Sequence, residues 1–284
     1  HIAIIAIVWI GADFAFKGQM ETGKIIALVS YMNQTLLALI VAANLIVLFT
    51  RAIASGKRIQ SLLAIKPSVT VQKGPNIVKS DNEKESRLSF NRVYFTYHDG
   101  AHTVLEDISF NIAPSQTIGV IGGTGSGKST IVRLIMRYFD VASGDIRIDG
   151  TDIKEMDPVY LRRKIGLVSP NATLFSGSVR RNMQISNPNA DDDMIWQALE
   201  TAQCRDFVEK LSGGLDYHVE AGGKNFSGGQ RQRLTIARAL VRQPEILILD
   251  DSSSALDYAT DAALRKALGK MISDHNGMTV IMIS

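Results

Sequence analysis

From Ile118 to Thr130 the chain reads IGVIGGTGSGKST, and the spacing GxxxxGKS within it is one that can hold phosphate. A backbone that folds around phosphate oxygens with its N–H groups pointing inward needs glycine where a Cβ would obstruct the approach, here Gly122, Gly125 and Gly127. Lys128 is then expected to reach the outer phosphates and Ser129 to hold Mg²⁺. The apolar run Ile118 to Ile121 predicts a buried strand and Lys128 opens a helical pattern, so 122–127 is the turn between them. Phosphate would lie at a helix N-terminus, where the peptide dipoles favour an anion.

Two further stretches carry chemistry. Ile246 to Asp251 reads ILILDD, an apolar strand that delivers two carboxylates at its carboxyl end, the place where ligands sit in open α/β sheets. Asp250 is placed to share Mg²⁺ with Ser129, and Asp251 to face an attacking water. FSGGQ, Phe226 to Gln230, precedes the basic run RQRLTIARAL. There Ser227, Gly228 and Gly229 open a second helix whose N-terminus can receive an anion with little side-chain bulk. Arg231, Arg233, Arg238 and Arg242 on that helix are expected to form a solvated face, with no nucleic-acid partner.

Together these stretches resemble the ATP-binding cassette (ABC) proteins, with FSGGQ similar to their signature motif, and the resemblance covers nearly all of residues 87–284. It implies an ATP-binding loop made of Gly122, Gly123, Thr124, Gly125, Ser126, Gly127, Lys128, Ser129 and Thr130, and Tyr97 as the aromatic that stacks on adenine. It implies Lys128 and Asp251 as catalytic residues and Ser129 and Asp250 as Mg²⁺ ligands. Phe226, Ser227, Gly228, Gly229 and Gln230 would close on ATP held by an opposite subunit, and Ser254 to Asp257 (SALD) would form the D-loop. LFSGSVRRN, Leu174 to Asn182, is similar to a stretch common in exporters of the multidrug type. The resemblance thus implies an ATPase coupled to export, with ATP and Mg²⁺ bound, a second half-transporter as partner and an unknown transported substrate.

Three positions depart from the family pattern. Asp251 stands where the family has a catalytic Glu. Pro170 stands where a Gln is expected, and Ala221 where a Glu is usual, with Glu220 beside it. A carboxylate shortened by one methylene misplaces its oxygens by over about 1 Å, which can cost on the order of 10²-fold in rate. The chain therefore also resembles the degenerate half of a heterodimeric exporter, which holds ATP, hydrolyses it slowly and lends FSGGQ to its partner's site.

The elements that position these residues can be read from patterning. Leu88, Phe90, Val93, Phe95 and Tyr97 form an irregular β pattern and Val104 to Ile112 a second, both before the phosphate loop. Strands and helices alternate after it, so the expected fold is an α/β P-loop NTPase domain with a parallel sheet, a flanking β subdomain and a helical subdomain. Before the domain, residues 66–86 are polar and carry the run DNEKE, which suits a linker. Residues 1–65 are far more apolar: 2–16 reads as part of a membrane span, 25–49 as a complete one, and 53–65 as its cytoplasmic extension. Arg51, Lys57 and Arg58 place that end in the cytoplasm, giving a transmembrane α-helical hairpin in a bacterial plasma membrane. Asp13 is expected near an interface or facing protein. Ser30, Asn33 and Asn44 share one helical face, suited either to packing through hydrogen bonds or to lining a substrate path. The chain runs from His1 to an apolar strand pattern at Ser284 and reads as a fragment. A net charge of +3 demands no polyelectrolyte partner, and one cysteine, Cys204, excludes an internal disulfide and fits a small buried residue.

Overall fold

Two apolar helices make up the first of the two units, residues 1–67 and 68–284, into which the computed structural model of the chain divides. The residues described are 2–65, 69, 86–97, 103–252, 255–274 and 277–284. The expected linker over 66–86 and Ser254 of the SALD turn lie almost wholly outside them.

In the first unit α1 (Ile2–Phe16) and α2 (Thr22–Leu63) are joined by a short turn that Gly18 closes in the left-handed region, φ +69°. Gly11 lets the pair approach closely, since a Cβ there would stand 3.0 Å from Ile25 Cγ1. Asp13, an awkward charge in an apolar helix, is matched one turn later by Lys17 at 2.6 Å. α2 is continuous over 42 residues, about 63 Å long at 1.5 Å per residue and about twice the hydrocarbon thickness of a bilayer. The expected span and its extension are therefore one helix. Among the described residues α2 alone is long and apolar enough to cross a membrane. None of its residues is buried within the unit, and Ile46 and Phe49 are 68% and 66% exposed.

The second unit begins with β1 (Leu88–Phe95), β2 (Leu105–Ile112), β3 (Thr117–Val120), α3 (Lys128–Ile135), β4 (Ser143–Ile148) and β5 (Thr151–Asp152). The middle of the chain supplies α4 (Pro158–Lys164), β6 (Ile165–Val168), β7 (Gly177–Ser178), α5 (Val179–Gln184), α6 (Asp192–Thr201), α7 (Arg205–Glu209) and β8 (His218–Val219). It closes with α8 (Gly228–Leu240), β9 (Ile246–Asp250), α9 (Tyr258–Asp274) and β10 (Thr279–Ile283). One sheet is antiparallel, in the order β2-β1-β4-β5, and the other is parallel, in the order β3-β10-β9-β6. β7 and β8 form a small antiparallel ladder.

The run ILIL is explained by burial on both faces of the parallel sheet. Successive side chains of β9 point to opposite faces: Ile246 and Ile248 enter a core with β1, β4 and α3, and Leu247 and Leu249 a core with α6, α8 and α9. β3 differs from the buried strand expected over 118–121. It pairs only with β10 at the sheet edge among the described residues, its own residues are exposed or half-buried, and Ile121 beyond it is 88% exposed.

A polar clamp joins the two sheets. Arg87, at the head of β1, donates to Asp149 at 2.6 Å, to Glu245 at 2.7 Å and to the Gly277 carbonyl at 3.1 Å. Lys164 donates to the same two carboxylates, at 2.9 Å to Asp149 and 2.8 Å to Glu245 Oε2. With both cations only 14% exposed, removing one leaves two partly buried acids to share a single cation. Arg87→Ala is expected to destabilise the second unit by about 2 kcal/mol, a fall of several degrees in its melting transition; an unchanged transition by calorimetry would show the clamp to be inert.

Candidate functional site: the cleft at the phosphate loop

Beyond Val120 the chain folds back on itself before α3. Gly125 and Gly127 take φ values of +84° and +92°, conformations that side chains disfavour. A Cβ at Gly122 would stand 2.6 Å from Ser126 Oγ, and one at Gly127 would stand 2.7 Å from Leu105 Cδ2. At these two positions a second reason for glycine adds to the expected one: a side chain would crowd Ser126 within the loop or Leu105 of β2 even without phosphate. Lys128 Nζ donates to the carbonyls of Gly122 and Gly123, the latter at 3.0 Å, and so bridges the loop. No side chain caps α3, which leaves its first turn open to an anion.

Around the loop lies a cleft of about 660 Å³. It is lined by Gly122 and Thr124 to Thr130, by Tyr97 and Arg133, and by Pro170, Asp250 and Asp251. Strand β9 brings Asp250 into the cleft wall with Ser129, near enough for the Ser129 hydroxyl to lower the pKa of the carboxyl. The residues expected to share Mg²⁺ thus line one cleft, and a hydroxyl beside a carboxylate is a hard-oxygen pair that fits that ion. The cleft volume and the uncapped helix likewise fit a nucleoside triphosphate.

Burial pushes the Asp250 carboxyl above its ordinary pKa, with Asp251 adding to the rise and Ser129, Arg133 and Lys128 opposing it. A carboxyl raised in the fold favours folding only below its unfolded pKa, and that contribution is lost as pH rises through the folded pKa. At pH 7 ionised Asp250 therefore opposes folding, and a cation relieves it. Asp250→Asn is expected to leave the melting temperature equal or higher at pH 7, with the gain vanishing as pH falls toward about 4, while Mg²⁺-dependent turnover is lost. A variant less stable than the parent at pH 7 would contradict this.

Asp251 follows at φ +47°, its N–H donating to the Ile283 carbonyl at 3.0 Å. It shares the cleft wall with Pro170, so two of the three departures from the family pattern meet at one site. Tyr97 also lines the cleft, its ring edge-on to Phe95 at 4.8 Å and to Phe139 at 5.2 Å. Sequence reasoning missed Arg133, which lines the same cleft. Its position four residues after Ser129, on the same side of α3, was the available signal.

FSGGQ lies elsewhere, and none of its residues lines this cleft. Ser227 is the exposed N-cap of α8 in a reciprocal capping box: Gln230 N donates to Ser227 Oγ at 3.2 Å, and Ser227 N to Gln230 Oε1 at 2.9 Å. Gly228 is exposed, and a Cβ at Gly229 would stand 3.1 Å from the Ala255 carbonyl. Phe226 is 5% exposed and packs on Phe207 and Tyr217, so its ring anchors the turn. The arginines after it are not the solvated face expected. Arg231 donates to the Phe226 carbonyl, Arg233 to Gln203 and Arg238 to Thr173, and Arg242, just beyond the helix, donates to Ser186 and Arg162, so all four are tied to backbone carbonyls. Cys204 is fully buried, and burial pushes its thiol well up, as suits a packing residue.

A family model described as ABC transporter matches residues 105–254. The chain is similar to an uncharacterized ABC transporter ATP-binding protein, YfiB, of Bacillus subtilis, at 37% identity over 268 residues, which are 94% of this chain and 46% of that protein. It is also similar to the beta-(1→2)glucan export ATP-binding/permease protein NdvA of Rhodopseudomonas palustris, at 35% identity over 285 residues, covering 100% of this chain and 46% of that one. Among solved structures, a bacterial Atm1-family ABC exporter with ATP bound shares the fold at a TM-score of 0.73 and 28% identity, over 94% of this chain and 46% of that chain. The chain spans about half the length of the curated relatives it matches.

Proposed function

The chain belongs to the ABC transporter family, and on that premise we propose that it is the ATP-binding part of a membrane exporter subunit that couples ATP binding and hydrolysis to substrate export. The observation that carries this reading is the convergence of Lys128, Ser129, Asp250 and Asp251 on one cleft. The division of labour proposed is residues 1–65 in and beside the membrane, 66–86 as linker and 87–284 as the nucleotide-binding domain, facing the cytoplasm. The apolar exposure of α2 and the export named for NdvA and for the Atm1-family structure support the membrane role. The partner is a second half-transporter, as in exporters of the multidrug type.

In this reading Lys128 leaves the loop carbonyls for the outer phosphates, and the loop N–H groups and the start of α3 hold the triphosphate. Ser129 and Asp250 hold Mg²⁺, which when bound offsets phosphate charge. Asp251 orients water, and Tyr97 offers its ring to adenine. FSGGQ, outside the cleft, serves ATP bound to the opposite subunit. A second reading rests on Asp251 and Pro170, both in the cleft wall: this subunit holds ATP with slow hydrolysis and supports a partner's faster site. Phosphate release by the full-length protein in lipid, alone and assembled with its partner, tests both. Turnover alone supports the first, turnover only with the partner supports the second, and no ATP-dependent release in either form overturns the proposal.

A further inference from the structure

Arg133 has no part in the phosphate chemistry just described, yet its side chain is tied to the aromatic wall of the same cleft. It is the exposed residue one turn beyond Ser129. Its Nη1 donates to the Tyr97 hydroxyl oxygen at 3.0 Å, and its guanidinium carbon lies 5.8 Å from the Tyr97 ring centroid. The Tyr97 hydroxyl also lies 2.9 Å from Thr130 Oγ1. A guanidinium can only donate, so the Tyr97 oxygen accepts from Arg133, and a second hydrogen bond, in which either hydroxyl can donate, ties it to Thr130. Phe95 and Phe139 meet the ring edge-on, and the relay fixes the remaining end.

We propose that Arg133 is a positioning residue for the nucleotide base: through the Arg133 to Tyr97 to Thr130 relay it holds the Tyr97 ring as a preset stacking face beside the phosphate loop. This rests on the reading of Tyr97 as the adenine platform. A platform already ordered loses less freedom when a base stacks on it, and one rotamer-rich side chain held in advance corresponds to about threefold to tenfold in affinity. The relay joins α3, which starts at the phosphate-binding Lys128, to the base-binding aromatic, so base and phosphates are presented in fixed register.

The test uses full-length protein and two ligands, a fluorescent N-methylanthraniloyl ATP and, as its competitor, inorganic tripolyphosphate, which has no base. Arg133→Ala is expected to weaken nucleotide binding about threefold to tenfold and to leave tripolyphosphate affinity within about twofold, the loss appearing in KM rather than kcat. Tyr97→Phe, which removes only the hydroxyl, is expected to give a similar loss, and adding Arg133→Ala to it to give less than about twofold more. Equal weakening of both ligands would show Arg133 acting by charge on the phosphates and would overturn the inference, as would full additivity of the two substitutions or no effect of either. A wild-type protein that binds tripolyphosphate but gains nothing from the base would overturn the adenine reading of Tyr97 itself.

Discussion

Lys128→Ala is expected to lower ATP turnover of the full-length protein by at least about 10²-fold, the loss seen when one preorganised charge-stabilising group is removed from an active site. The ammonium is held at the loop by the Gly122 and Gly123 carbonyls, from which it has only to turn to meet the outer phosphates in the proposed reading. Alanine leaves the glycine-shaped loop intact, because the constraints at Gly122 and Gly127 come from Ser126 and Leu105 and not from the lysine. The melting transition should therefore stay within about 1 °C per few tenths of a kcal/mol lost, while phosphate release collapses. Lys128→Arg should not rescue it, since a planar guanidinium does not replace a compact ammonium in so tight a loop. Turnover within threefold of the parent would mean that the cleft is not the hydrolytic site.

Ser227→Arg should have a comparable effect by a different route. Ser227 is exposed and lies outside the cleft, so the chain's own affinity for ATP should hardly change. The assembled transporter is nevertheless expected to lose about 10²-fold in turnover, because an arginine would crowd and charge a helix N-terminus that must receive the partner's nucleotide. Losing the cap costs about 1 kcal/mol of helix stability. Ser227→Asn separates the two effects, since asparagine caps equally well and leaves the helix intact. Asp251→Asn in the same assembly should cost far less than Ser227→Arg if this subunit's own site is the slow one; equal losses would leave the two-site asymmetry without support.

Much of the site was legible because its signals are local. GxxxxGKS and ILILDD each lie within one loop or one strand, and the alternation of Ile246, Leu247, Ile248 and Leu249 between two cores follows from strand geometry alone. What escaped depends on contacts between distant segments. Arg238 reads as a surface cation until α8 lies against the Thr173 carbonyl, 65 residues away in sequence. Arg87 and Glu245 are 158 residues apart and pair only once both sheets exist. Phe226 stood out as part of a motif, whereas its burial depends on where Phe207 and Tyr217 fall. Ile121 belonged to an apolar run, but an edge strand leaves its neighbour uncovered.

The central claim is that ATP closes the phosphate loop of one subunit on the Ser227 turn of another. Site-directed cross-linking tests it directly, with Ser126→Cys in this full-length subunit and cysteine at the position matching Ser227 in the partner half-transporter. Ser126 and Ser227 are exposed in this chain, and Cys204 is fully buried and so outside the reach of a cross-linker. The expected result is an intersubunit product under mild oxidation that forms with Mg²⁺ and ATP and is lost with Lys128→Ala. A product that forms equally without nucleotide, or none at all with saturating ATP, would contradict it.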